Sequence, residues 1–274
     1  MQIEKFTNIA FIMSNFKSQF QIYNKALDTV KDIANSSKTS AEEKKQKLSS
    51  CYQSFYQQNL GDDIVIKNLK KMFESNRLDS SLFTDIIAAY NSYIDIPKLK
   101  VWEEFIAYHR LFASPISRFI LAIYDENPTT YLPMEHLYTI LEILSSLSSI
   151  KNQISYYNRC LIPQEIMLKY NVRFTDLALT YTSDNVQKMM RELIDRISYM
   201  QADVQILPSL IKNFGLRVKI SIMISLTNSM IKKYQKANII QNAPVITLID
   251  KIKALVCGVF NSCLWKKSVQ GNIR

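Results

Sequence analysis

Glu142, Ser145, Ser149 and Gln153 recur at three- and four-residue spacing, so on a helix they form one polar line. Facing a pocket, such a line is where a helical bundle carries metal ligands or catalytic acids. Only Glu142 is a carboxylate. Asp28 and Asp32 also lie one helical turn apart, and read either as a carboxylate pair for a divalent cation or as a solvated pair beside Lys25 and Lys31. Arg118 and Arg159 are candidates to grip a phosphate as bidentate donors; for Arg118 the competing assignment is a structural pair with an acid such as Glu142. His109 and His136 have only Glu104 and Glu135 as acidic neighbours and no nucleophile tied to them by motif, so both read as packing or surface histidines.

The elements that must position these groups are helical. Four glycines in 274 residues is roughly a fifth of the usual ~7%, too few for the hairpins and bulges of a sheet protein. Seven prolines fall mostly between apolar-periodic segments, and 47% apolar residues suffices for one large core. The segment Leu137 to Pro163 reads as one helix begun by Pro133, with Leu137, Ile140, Leu141, Leu144, Leu147, Ile150 and Ile154 on its buried side. The formal charge of +10 favours anionic partners such as diphosphates or acidic lipid surfaces; the lysines are scattered and no nucleic-acid module is recognisable. The four cysteines form no CxxC pair, so packed, reduced thiols are expected. No apolar run reaches a membrane-spanning length, which gives a cytoplasmic expectation, peripheral on the inner membrane face.

Along the chain, periodicity predicts one bent helix or two over Ile3 to Asn35, and Ser40 with Glu43 reads as a capping box for a helix through Tyr56. Asp63 and Asp79 cap Ile64 to Glu74 and Leu82 to Ile94, and Pro115 is expected to kink a long helix from Trp102 to Tyr124. Further helices are expected over Gln164 to Tyr170, from Ser183 to about Ile206, over Val218 to Tyr234, and from Pro244 to about Trp265. The last carries an apolar face followed by Lys266 and Lys267, which suits a membrane surface or an ordinary bundle contact. The organisation is a single helical domain over 1–265 with a basic tail over 266–274.

The run YHRLFASPISR from Tyr108 to Arg118 resembles the squalene/phytoene synthase family, in particular its bacterial hydroxysqualene synthase branch, in which a tyrosine opens this helix and Ser-Ala-Asn-Pro-Val-Gly-Arg kinks it. Other landmarks match in order. Glu4-Lys5-Phe6 resembles Glu-Asn-Phe, Lys31 to Asn35 sits where Asp-Asp-Ile-Ala-Asp is usual, and Trp102 and Arg159 to Pro163 match a Trp and Arg-Ile-Tyr-Leu-Pro. Leu207-Pro208 and Ala243-Pro244 stand where Leu-Pro and Arg-Pro are usual. The resemblance implies an all-α isoprenoid-synthase bundle in which two aspartate-rich motifs hold Mg²⁺ against prenyl diphosphates.

The sequence departs from that pattern where the chemistry lies. Lys31 and Asn35 replace two of three first-motif aspartates and leave Asp32, while Ser149 and Gln153 stand at the second-motif aspartates, with Glu142 and Ser145 at the preceding Gln and Asn. A further expected aspartate falls on Tyr93 and an expected arginine on Asp28. An ammonium at Lys31 repels Mg²⁺. Three readings follow from the resemblance. The first is a family member without competent catalytic residues and without a cofactor, binding an isoprenoid or a protein partner, alongside an active paralogue. The second is an active farnesyl or presqualene diphosphate transferase with Mg²⁺ on Asp28 and Asp32 and substrate on Arg118, Arg159, Glu142, Ser145 and Tyr93. The third is a respiratory assembly factor of the same fold.

Overall fold

The computed structural model describes residues 15–56, 63–95, 98–157, 159–179, 181–240 and 243–271, except for the side chains of 156, 157, 261 and 263–271. It is all-α, with no strand among the described residues. The helices are α1 (Lys17–Asn35), α2 (Ala41–Tyr56), α3 (Ile64–Asn76), α4 (Ser81–Ile94), α5 (Trp102–Ile123) and α6 (Tyr131–Ser148). They continue with α7 (Ile150–Tyr157), α8 (Gln164–Lys169), α9 (Asp184–Val204), α10 (Leu207–Leu210), α11 (Phe214–Lys236) and α12 (Leu248–Gly271). The Glu4-Lys5-Phe6 landmark and the first part of the expected N-terminal segment lie outside the described residues.

Local side-chain chemistry sets several helix starts. Ser40 and Glu43 exchange backbone hydrogen bonds at 3.2 and 3.1 Å, giving the expected capping box of α2. Asp63 accepts from the Val65 and Ile66 amides, and Asp79 from Ser81. The last helix begins later than Pro244, because Thr247 and Asp250 build a second reciprocal box at Leu248. Proline 115 stays inside α5, which continues through it as one helix. The single helix expected from Leu137 to Pro163 is instead α6 and α7, joined at Ser149. There the amide bonds back to the Ser146 carbonyl, three residues away, while the Ser148 and Ser149 hydroxyls also engage carbonyls of the preceding turn. Four serines in five positions compete with the backbone ladder and interrupt it.

The core lies between two layers of contacts. One side packs α1 against α2, α3 and α4, with Tyr23 stacked on Phe119 (ring centroids 3.7 Å) and Phe73 alongside. The Tyr23 hydroxyl donates to the Leu82 carbonyl at 2.6 Å. The other side packs α5 on α6, α6 on α9, and α9 on α11, and the Tyr234 hydroxyl donates to the Leu144 carbonyl at 3.2 Å. Glu126, nearly buried, accepts from the Lys212 and Asn213 amides, both at 2.8 Å, and so fixes the start of α11. Among the described side chains Cys51 is buried and Cys160 half-buried as expected of packed thiols, but Cys257 is exposed; Cys263 lies outside them.

Helix α12 rides on α11 through small residues. Ala254, Gly258 and Ser262 face it one turn apart, and a Cβ on Gly258 would come within 2.9 Å of the Ile222 backbone nitrogen. Gly258→Ala is therefore expected to destabilise the protein by about 1–3 kcal/mol, or to displace α12, read from chemical denaturation. His109 is buried against Phe105, and burial depresses its pKa from 6.5 to about 3. The unfolded chain takes up this proton below pH 6.5 and the folded chain does not. Stability should thus fall by about 1.4 kcal/mol per pH unit, on the order of one proton's linkage, across that window. His109→Gln should remove that share of the slope in denaturation curves recorded at successive pH values.

Candidate functional site

The positions at the end of α1 divide between its two faces. Val30 and Ala34 are buried, Lys31 and Asn35 are half-buried beside them, and Asp28 and Asp32 are exposed. The two carboxylates available to the first motif therefore point to the solvated side. On the inner side Asn35 is bound into the protein: its Oδ1 accepts from the Tyr93 hydroxyl at 2.8 Å, and its Nδ2 donates to the Lys31 carbonyl at 2.9 Å.

The second line of polar residues closes on itself. The Ser149 hydroxyl donates to the Ser145 and Ser146 carbonyls at 3.2 and 3.1 Å. Gln153 Nε2 donates to Ser149 Oγ at 3.0 Å and to Ser146 Oγ at 3.3 Å. Ser145 contributes its backbone oxygen to this set, and Glu142, half-buried, lies farther up the same face of α6.

Arg159 joins the two halves. Its amide donates to the Gln153 carbonyl at 3.1 Å, its Nη2 donates to the Tyr93 carbonyl at 2.8 Å, and its guanidinium sits 3.4 Å over the Tyr93 ring. The side chain is 4% exposed, and a buried guanidinium needs such compensation because desolvation costs several kcal/mol. Ser149, Gln153, Arg159, Tyr93, Asn35 and Lys31 form one continuous chain of contacts from α7 to α1.

Tyr108 belongs to the same neighbourhood and was not singled out from the sequence, although it opens the motif that carries the resemblance. It is buried, and among the described residues its hydroxyl has no hydrogen-bond partner. Burial pushes its pKa well up; the nearby Arg159 charge opposes this, and Tyr93 and Glu142 reinforce it. Phe112 packs edge-on against Tyr90, Tyr93 and Tyr108, completing an aromatic wall.

Arg118 lies elsewhere. Its Nη2 donates to Asp85 Oδ2 at 3.2 Å and its Nε to the Ser114 carbonyl at 3.4 Å. The structural pair expected for it thus forms with Asp85 and not with Glu142. Asp85 and Tyr93 are eight residues apart on α4, about 12 Å along the axis at the usual rise, so the two arginines serve opposite ends of that helix. His136 stands 3.5 Å from Asp203, away from these groups.

The model of the squalene/phytoene synthase family matches residues 19–243. The chain belongs to the squalene/phytoene synthase family. Its sequence relatives are hydroxysqualene synthases, the branch it resembles: that of Rhodopseudomonas palustris is 26% identical over 153 residues, 55% of this chain and 52% of that protein. That of Sinorhizobium fredii is 22% identical over 147 residues, 54% of this chain and 50% of its own. The chain spans about half the length of these relatives. Among solved structures, squalene synthase HpnC from Alicyclobacillus acidocaldarius aligns with a TM-score of 0.70 at 14% identity, covering 85% of this chain and 88% of that one. A dehydrosqualene synthase in complex with ligand aligns at 0.65 and 13%, covering 97% and 98%.

The donors at the family's motif positions do not fit Mg²⁺. The ion demands hard, preferably anionic oxygens in octahedral array, whereas at the positions the resemblance assigns to the motifs Lys31, Asn35, Ser149 and Gln153 supply an ammonium, two amides and a hydroxyl, and the one carboxylate among them, Asp32, is exposed. Among the described residues no three His, Cys, Asp or Glu side chains converge as a metal-binding group. A double-mutant cycle on Tyr93→Phe and Asn35→Ala should return a coupling of about 1 kcal/mol. Arg159→Leu should cost more, about 3 kcal/mol in urea denaturation, because it removes the hydrogen bond to the Tyr93 carbonyl together with the cation–ring contact.

Proposed function

We propose that this family member no longer ionises prenyl diphosphates and works by binding an isoprenoid through its retained bundle. The observation that carries this reading is the hydrogen-bonded chain from Ser149 to Lys31, which ties up Ser149, Gln153 and Asn35 at the motif positions and leaves Asp32, exposed, as the one carboxylate there. Diphosphate departure without carboxylate-bound metal leaves several negative charges uncompensated, so turnover by the family's chemistry has no electrostatic support here. Binding needs less. The wall of Tyr90, Tyr93, Tyr108 and Phe112 is aromatic, and the buried Arg159 guanidinium against Tyr93 is the cation that an anionic head group would reach.

The remodelled-transferase alternative draws on Asp28, Asp32, Glu142, Arg118 and Arg159. Against it stand the exposed placement of Asp28 and Asp32 and the engagement of Arg118 with Asp85. A partner-binding scaffold, including an assembly factor, is favoured by a different observation: stacked rings of Tyr23, Phe73 and Phe119 fill the interior between α1, α3 and α5.

Titration of the purified protein with farnesyl diphosphate, with Mg²⁺ and with a chelator, distinguishes the three readings. The expected result is metal-independent binding, weakened by Arg159→Leu, without release of inorganic diphosphate. Diphosphate release abolished by Asp32→Asn would establish the transferase reading, and failure to bind together with a stoichiometric protein partner on purification would establish the scaffold.

A further inference from the structure

From Leu248 to Phe260 the outer face of α12 is apolar and exposed. Leu248, Ile249, Ile252, Leu255, Val256, Val259 and Phe260 are each 49–71% exposed. At 100° per residue they span an arc of about 140°, and Leu248 to Phe260 covers about 18 Å of helix. The opposite face is the one that Ala254, Gly258 and Ser262 press against α11. This is not the scattering of single apolar side chains found on any surface but one continuous stripe.

The charges around it are of one sign. Lys253, exposed, bounds one edge of the arc and Lys251, half-buried, the other. Asp250 is already engaged by Lys233 and by Thr247, so the one acid on this stretch is neutralised. The chain as a whole carries +10. A second copy seated stripe-to-stripe would bring two such cations edge to edge, whereas an anionic lipid surface complements them. No helix among the described residues is long and apolar enough to cross a membrane.

We propose that α12 is a membrane-surface helix that lies in the interface of an anionic bilayer, with the Leu248 to Phe260 stripe among the acyl chains and Lys253 reaching the head groups. The lysine stem lies along the apolar stripe while its ammonium group stays hydrated, and the two contributions act together, since apolar burial holds the helix and charge selects the lipid. The inference is independent of what the bundle binds.

The test is flotation of the full chain with vesicles of phosphatidylcholine alone and of phosphatidylcholine with phosphatidylglycerol. Binding is expected to the anionic vesicles, reduced but not abolished by salt. Ile252→Glu with Val256→Glu, both at exposed positions, should lower the partition coefficient on the order of tenfold or more; Lys253→Glu should lower it on anionic vesicles alone. Thermal melting should show both variants folded. Absence of binding, or equal binding by the double variant, would overturn the proposal, as would a concentration-dependent dimer in sedimentation that the double variant dissolves.

Discussion

The buried guanidinium of Arg159 is the constraint around which the polar interior is arranged. A cation in that position must be compensated, and Tyr93 supplies two compensations from one residue, a carbonyl and a ring face. Once Tyr93 is held this way, its hydroxyl is directed at Asn35, which ties the end of α4 to the end of α1. The Arg159 amide meanwhile anchors the turn after α7 to Gln153. Three chain segments distant in sequence are thus fixed by one charge. An aspartate at position 93 would neutralise that charge directly but offers neither a ring face nor a phenol for Asn35.

Fold and site are separable because they use different faces of the same helices. On α6 the side chains that hold the bundle, among them Leu137, Ile140, Leu144 and Leu147, are buried, while Glu142 and Ser145 occupy a half-buried face. Burial energy depends chiefly on the former, so the latter can differ from the Gln and Asn that the resemblance sets there with the architecture preserved. An alignment at TM-score 0.70 with only 14% identity is the expected signature of that separation.

The caps were legible in the sequence because they are local: Ser40 with Glu43, Asp63 and Asp79 act on amides two or three residues away. So was the buried stripe of α6 and α7, since its spacing repeats. The break at Ser149 was less so, because a serine's choice between solvent and the carbonyls of the preceding turn leaves periodicity unchanged. The lack of carboxylates at Lys31, Asn35, Ser149 and Gln153 stands in the sequence itself, but the seam these residues form could not be read there. Tyr93 meets Asn35 across 58 residues and Arg159 across 66, and nothing in their local patterns predicts either meeting. The Arg118 partner was missed for the same reason. The apolar face of α12 was legible, with a membrane surface or a bundle contact to cover it; which side packs on α11 follows from side-chain size, small at Ala254, Gly258 and Ser262 and large on the exposed side.

That difference in size bears on cooperativity. The contacts of α12 with Ile222 and Leu226 form a small cluster separate from the main core, which already includes Ile220, Met223 and Ile224 of α11. Peeling α12 away would expose that cluster and leave the main core intact. Amide protons along α12 are therefore expected to exchange through a sub-global opening that the remainder of the bundle does not share.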